Sequence, residues 1–159
     1  MDIQPAARVQ RVQPSQTISI SDRAKALRAE GRDIIALSAG EPDFDTPVHV
    51  REAAIAAIES GQTRYTPVDG QADLKAAIIA KLKRDNGLQY GSDQILVSSG
   101  AKHSIHNTLQ ALLEPGDEVV VPAPYWVSYP DMVRLADGEP VIVPTTAASG
   151  FKLQAEALE

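Results

Sequence analysis

Apolar residues recur along this chain with two different periods, and the switching between them lays out its elements. Val50, Ala54, Ile55 and Ile58 share one helical face between Thr46-Pro47 and Ser60-Gly61, with Thr46 as cap and Pro47 at the first helical position. Leu74, Ile78 and Leu82 predict a second helix from Gln71 to Asp85, closed by Asn86-Gly87. Ile105, Leu109, Leu112 and Leu113 predict a third, stopped at Pro115-Gly116. Ser21 as cap predicts a helix over 22–30 ending at Gly31, and a short helix is predicted over 130–136 before the Asp137-Gly138 turn. Between these lie short stretches built on apolar runs, 33–38, 95–97, 118–122 and 140–144, which read as buried strands. Residues 1–18, with Pro5 and Pro14, read as an arm, and 153–159 as the opening of a helix. Strands alternating with helices at this spacing predict an α/β fold, a three-layer, mostly parallel sheet with flanking helices.

Ligands of such sheets bind outside the carboxyl ends of the strands, and two of those ends carry unusual residues. Ser98-Ser99-Gly100-Ala101 joins the 95–97 run to a helix. The first amides of a helix lack intrahelical acceptors and lie at the positive end of its dipole, so this turn, with the Ser99 hydroxyl, suits a phosphate; it also reads as an ordinary strand-to-helix turn. The second end is Pro122-Ala123-Pro124-Tyr125-Trp126, which holds the only tryptophan of the chain. Trp126 reads either as core filling or as a platform on which a flat ring stacks. Taken together, the two ends suit a planar phosphorylated cofactor.

Composition removes several alternatives. A length of 159 residues allows one domain with a core, and two would be a squeeze. A net charge of −6 argues against a nucleic-acid or anionic-membrane surface. Without any cysteine there are no disulfides, thiolate metal sites or cysteine nucleophiles, which is compatible with a cytoplasmic setting. The start of the chain shows no apolar signal core, and no run approaches the ~18 apolar residues of a membrane span.

Four stretches, in order, carry a family resemblance: 40–47 (Gly-Glu-Pro-Asp-Phe-Asp-Thr-Pro), Arg64-Tyr65-Thr66 with Gly70, Ser99-Gly100-Ala101-Lys102, and 122–130 (Pro-Ala-Pro-Tyr-Trp-Val-Ser-Tyr-Pro). The chain resembles the N-terminal portion of class I pyridoxal-phosphate-dependent aminotransferases, and within them the bacterial aspartate aminotransferases of fold type I. The resemblance implies a transaminase using pyridoxal 5′-phosphate, acting on an amino acid (aspartate or glutamate) and a 2-oxo acid, as a cytoplasmic homodimer. It assigns the substrate α-carboxylate to the Gly40 amide and the cofactor phosphate to Ser99, Gly100 and Ala101. Trp126 would stack on the pyridine ring and bear on the substrate's side-chain carboxylate. Tyr65 would reach the cofactor phosphate of the partner subunit. Residues 1–45 would form the N-terminal arm and part of the small domain, and 46–159 the first part of the large cofactor-binding domain, truncated.

The Schiff-base lysine of the family, in a Ser-x-Ser-Lys type motif, has no match here, nor do the residues expected at the pyridine nitrogen and ring oxygen, or the arginine for the α-carboxylate. Lys102 follows the phosphate turn, and Ser149-Gly150-Phe151-Lys152 is only superficially like the motif. Half a parallel sheet would expose an unpaired edge and one uncovered face, so the isolated chain is expected to be at best marginally folded and, without the lysine, catalytically inert. The other readings are a non-catalytic phosphate-binding or dimerisation remnant and another fold type I enzyme. Some relatives also act on prephenate and carry a lysine near the Arg11–Pro14 segment, where Gln13 stands here.

Other signals have ordinary explanations. His103 and His106 lie three apart on one helix face without a third ligand, which favours a solvated or packed pair over a metal site. Glu41, Asp43 and Asp45 read as turn and helix-start charges, and Lys81, Lys83 and Arg84 as a solvated face.

Overall fold

The structure, a computed structural model, describes residues 4–158. Met1–Ile3 of the expected arm and Glu159 of the expected last helix lie outside the described residues. The chain forms two compact units, one from the residues before 41 and after 104, the other Glu41–Ser104.

In the first unit a short helix α1 (Ala7–Gln10) precedes α2 (Gln16–Ala29). Helix α2 begins six residues before the predicted start. Ser15, not Ser21, is its cap, accepting from the Ile18 amide at 3.4 Å. No breaker stands between Ser15 and Gly31, so the helix takes the earlier cap, and the Ser21 hydroxyl pairs with that of Ser38 at 3.0 Å.

Strands β1 (Glu118–Ala123) and β2 (Glu139–Pro144) pair in parallel, from Glu118 opposite Glu139 to Ala123 opposite Pro144. Helix α6 (Ser128–Leu135) connects them, as parallel strands require a crossover. With the Ala136 that caps its end it supplies most of the core: Met132, Val133 and Ala136 are buried with Val121 of β1. Gly138 is buried at the start of β2, where an added Cβ would meet Leu113 at 2.8 Å and the Asp117 carbonyl at 3.1 Å. The arm is pinned to this layer by Arg11, which donates to the Asp137 carboxylate, with Arg8 3.8 Å from its other oxygen.

The second unit holds α3 (Val48–Glu59) and α4 (Ala72–Asn86). Pro47 itself takes the cap position of α3 that was expected of Thr46, and Gly87, at φ +69°, ends α4 in the left-handed conformation. Helix α5 (Ala101–Leu112) leaves this unit and runs into the first.

Two expected strands are absent from the ladder. Residues 33–38 and 95–97 have no strand partner among the described residues. Ile95 has an extended backbone (φ −116°, ψ 123°), and the Val97 amide donates once, to the Asp69 carbonyl at 3.1 Å. Extended dihedrals are local, whereas a ladder needs a neighbour about 4.8 Å away along the whole strand. The helical faces are likewise less covered than their periodicity predicts. Val50, Ile55 and Ile58 of α3, Leu74 of α4 and Leu112 of α5 are exposed, while Ile78, Leu82, Ile105 and Leu109 are half-buried. A stripe is buried only when another element lies against it, and the described elements do not suffice to cover every stripe.

Candidate functional site

The Ser99–Ala101 turn is set by the residues on either side of it. Gly100 sits at φ +84°, a conformation that glycine adopts without penalty, and its surroundings are open. Its amide bonds the Ser98 carbonyl at 2.8 Å. Its carbonyl is the first acceptor of α5, taking the amides of His103 at 3.2 Å and Ser104 at 3.4 Å. The Ala101 and Lys102 amides therefore come before the helical ladder begins, at the positive end of a twelve-residue helix. Ser99, Gly100 and Ala101 are all exposed, so an anion would reach them directly. The donor set is a hydroxyl and helix-start amides without a carboxylate among the four residues, which fits the phosphate of pyridoxal 5′-phosphate.

His103 was not foreseen as part of this turn. Its Nδ1 accepts the Ser99 amide at 3.1 Å, closing the turn from the helix side. The bond resembles a capping box in which the third helical residue reaches back to the residues before the helix. Its signal in the sequence was the placement of His103, four residues after Ser99, an offset that brings one turn of helix over the next. Among the described residues no group of three metal-binding side chains forms around His103 and His106, or elsewhere.

In the same unit Tyr65 occupies a loop between α3 and α4 and is fully exposed, at 107%. Close by in sequence, Lys75 at 7% exposure is the buried charged side chain of the described residues, and its ammonium donates to the Asp69 carboxylate. That hydrogen bond, the Asp69 backbone amide and the Lys75 charge hold the Asp69 carboxyl below its ordinary value of 3.8, against a smaller opposing effect of desolvation.

The other two assigned residues belong to the first unit. Trp126 lies in the loop from β1 to α6, past the carboxyl end of the strand, where the sequence placed it; it is 52% exposed, so it does not fill the core. Its carbonyl accepts the Tyr129 amide at 3.0 Å, at the start of α6. The loop leaves the sheet through a cis Ala123-Pro124 peptide, and the Ala123 carbonyl accepts both the amide (2.9 Å) and the hydroxyl (2.6 Å) of Thr145. Gly40 is exposed, with space around it for a Cβ and no positive φ, so nothing within the described chain demands glycine there.

Residues 32–159 match the sequence model of the family "Aminotransferase class I and II". The chain belongs to this aminotransferase family. It is 53% identical over 152 residues to an aspartate/prephenate aminotransferase of Nitrosomonas europaea, covering 96% of this chain and 38% of that protein. It is 55% identical over 159 residues to the bifunctional aspartate aminotransferase and glutamate/aspartate-prephenate aminotransferase of Petunia hybrida, covering 100% of this chain and 33% of that one. The crystal structure of the Rhizobium meliloti aspartate aminotransferase superposes with a TM-score of 0.94 at 49% identity, over 99% of this chain and 39% of that one. The Thermus thermophilus aspartate aminotransferase with maleate gives 0.92 at 45% identity, over 99% and 41%. The chain thus spans about two fifths of the length of its relatives, as an N-terminal portion with the fold type I α/β architecture. No helix among the described residues is long and apolar enough to cross a membrane.

Proposed function

We propose that this chain is the N-terminal part of a pyridoxal-phosphate-dependent aminotransferase that moves an amino group between aspartate or glutamate and a 2-oxo acid. The observation that carries the reading is the exposed Ser99-Gly100-Ala101 turn opening α5, whose hydroxyl and helix-start amides support phosphate binding in a chain of the aminotransferase family. Pyridoxal phosphate supplies the electron sink on which amino transfer depends. The residues here would bind and orient: the Ser99 hydroxyl and the helix-start amides would hold the phosphate, and Trp126 would stack on the pyridine ring and bear on the substrate's side-chain carboxylate. The Gly40 amide takes the substrate α-carboxylate, and its open surroundings support close approach. Full exposure of Tyr65 supports its reaching the phosphate held by a second subunit in a homodimer. Residues 1–45 would be the arm and part of the small domain, and 46–159 the first part of the large domain.

The Schiff-base lysine is not among these 159 residues on this reading, so the chain alone is inert and the catalytic proton transfers belong to residues outside it. A cytoplasmic location accompanies the reading. Aspartate is named in each relative described above, and prephenate in two of them. Gln13, where a lysine is expected for prephenate, favours aspartate.

The test compares pyridoxal 5′-phosphate with pyridoxal as ligands of the protein as its gene encodes it, then assays transfer from aspartate to 2-oxoglutarate, with prephenate as the alternative acceptor. A strong preference for the phosphorylated form, weakened by Ser99→Ala, together with aspartate-dependent turnover is the expected result. Equal binding of the two forms would overturn it.

A further inference from the structure

The Ser99 amide is committed to His103, so within the phosphate cup Ser99 has its hydroxyl to offer and not its N–H. In this bond Nδ1 is the acceptor, which leaves Nε2 as the nitrogen facing away from the turn's backbone. Two hydrogen bonds then fix the turn before any ligand arrives: Ser99 N–H to His103 Nδ1 at 3.1 Å, and Gly100 N–H to the Ser98 carbonyl at 2.8 Å. His103 sits on the rigid first turn of α5, whereas Ser99 lies in a bend outside it, so the helix imposes its geometry on the bend.

Resting on the phosphate-cup reading, we propose that His103 is a positioning residue of the cofactor site: by accepting the Ser99 amide it holds the Ser99 hydroxyl and the Gly100-Ala101 peptide in their phosphate-binding arrangement. Without that acceptor the Ser99 amide turns to water and the bend samples other conformations. The phosphate must then order it on binding, and affinity falls by that cost. Nothing in this role touches the pyridoxal ring, so the loss depends on the phosphate.

The experiment uses the protein as its gene encodes it, with His103→Leu removing the acceptor and His103→Asn restoring one, since an Asn Oδ1 occupies nearly the position of a His Nδ1. Affinities for pyridoxal 5′-phosphate and pyridoxal are measured by fluorescence titration, and the bound phosphate is observed by phosphorus NMR at fixed pH. The expected result is a roughly three- to tenfold loss of affinity for the phosphorylated form in His103→Leu, the worth of one such hydrogen bond. Affinity for pyridoxal should be unchanged, His103→Asn should recover to within about twofold, and the phosphorus signal of the Leu variant should shift relative to wild type. If His103→Leu does not fold, His103→Ala takes its place in the same comparison. Unchanged phosphate-dependent affinity in the Leu or Ala variant, or equal losses for both ligands, overturns the positioning role while leaving the cup intact. A wild-type protein that binds the two forms equally overturns the cup itself, and the positioning role with it.

Discussion

Gly70 and Val97 meet so closely that a Cβ on Gly70 would collide with the Val97 side chain, while the Val97 amide donates to the carbonyl of Asp69 beside it at 3.1 Å. This contact ties the loop before α4 to the extended segment that leads into Ser98 and the candidate cup. Gly70 also sits at φ +107°, so both crowding and backbone conformation select glycine. Gly70→Ala should destabilise the protein by about 2 kcal/mol or more, through strain and overpacking together. Gly100→Ala, strained in φ but facing open space, should cost less, about 1 kcal/mol. Urea denaturation midpoints of the two variants check the order, and a Gly70→Ala protein as stable as wild type would contradict it.

Asp69 gives the second unit a dependence on acid. Its carboxyl titrates below the ordinary value in the folded chain, first because Lys75 donates to it. A depressed folded value means that the pair's contribution is fully present above the unfolded value and is lost as pH falls through the folded one. Wild-type stability should therefore drop on acidification from neutral pH towards about pH 3, and Asp69→Asn should flatten that drop while lowering stability at neutral pH. Chemical denaturation across this range decides; parallel curves for the two proteins would remove Asp69 from the account.

Val133 is 2% exposed, the most deeply buried large side chain of the described residues, at the contact of α6 with the sheet. Val133→Ala removes two methyl groups' worth of burial and leaves a small cavity, a loss of about 2 kcal/mol. Because α6 bridges β1 and β2, amide exchange should quicken in both strands. Protection confined to its wild-type pattern would count against α6 as the support of the sheet.

For Trp126, the proposed stacking predicts a Trp126→Ala variant with roughly tenfold weaker cofactor binding and a smaller deficit in Trp126→Phe, which keeps a ring. Because the ring is half-exposed, Trp126→Ala should cost less stability than truncation of a fully buried tryptophan, and Trp126→Phe less again. Cofactor titration alongside thermal unfolding separates the two effects, and a drop in stability without loss of affinity would assign the ring to packing.

Tyr65→Phe deletes one hydroxyl from a side chain that is fully exposed in its own chain. On the homodimer reading the cofactor affinity falls roughly ten- to a hundredfold, as for a hydrogen bond to a charged group, with no change in the stability of the subunit. An affinity equal to wild type would leave Tyr65 without a role at the phosphate.

The sequence by itself determined the features whose causes are local. The boundaries of α3 and α4 follow from Pro47 and Gly87, and β1 and β2 from apolar runs between turns. The Ser99–Ala101 bend at the head of α5 was legible because one glycine and a helix start suffice to form it. Tertiary structure alone decided which extended segments find partners: Val119–Val121 does, while Ile95–Val97 makes a single bond to Asp69. It also decided that Lys75, and not Leu74, is the buried side chain at the start of α4. The physical reason is the range of the bonds. A helix closes its hydrogen bonds within four residues and so is written in the adjacent sequence, whereas a ladder or a covered face exists only where distant parts of the chain come together.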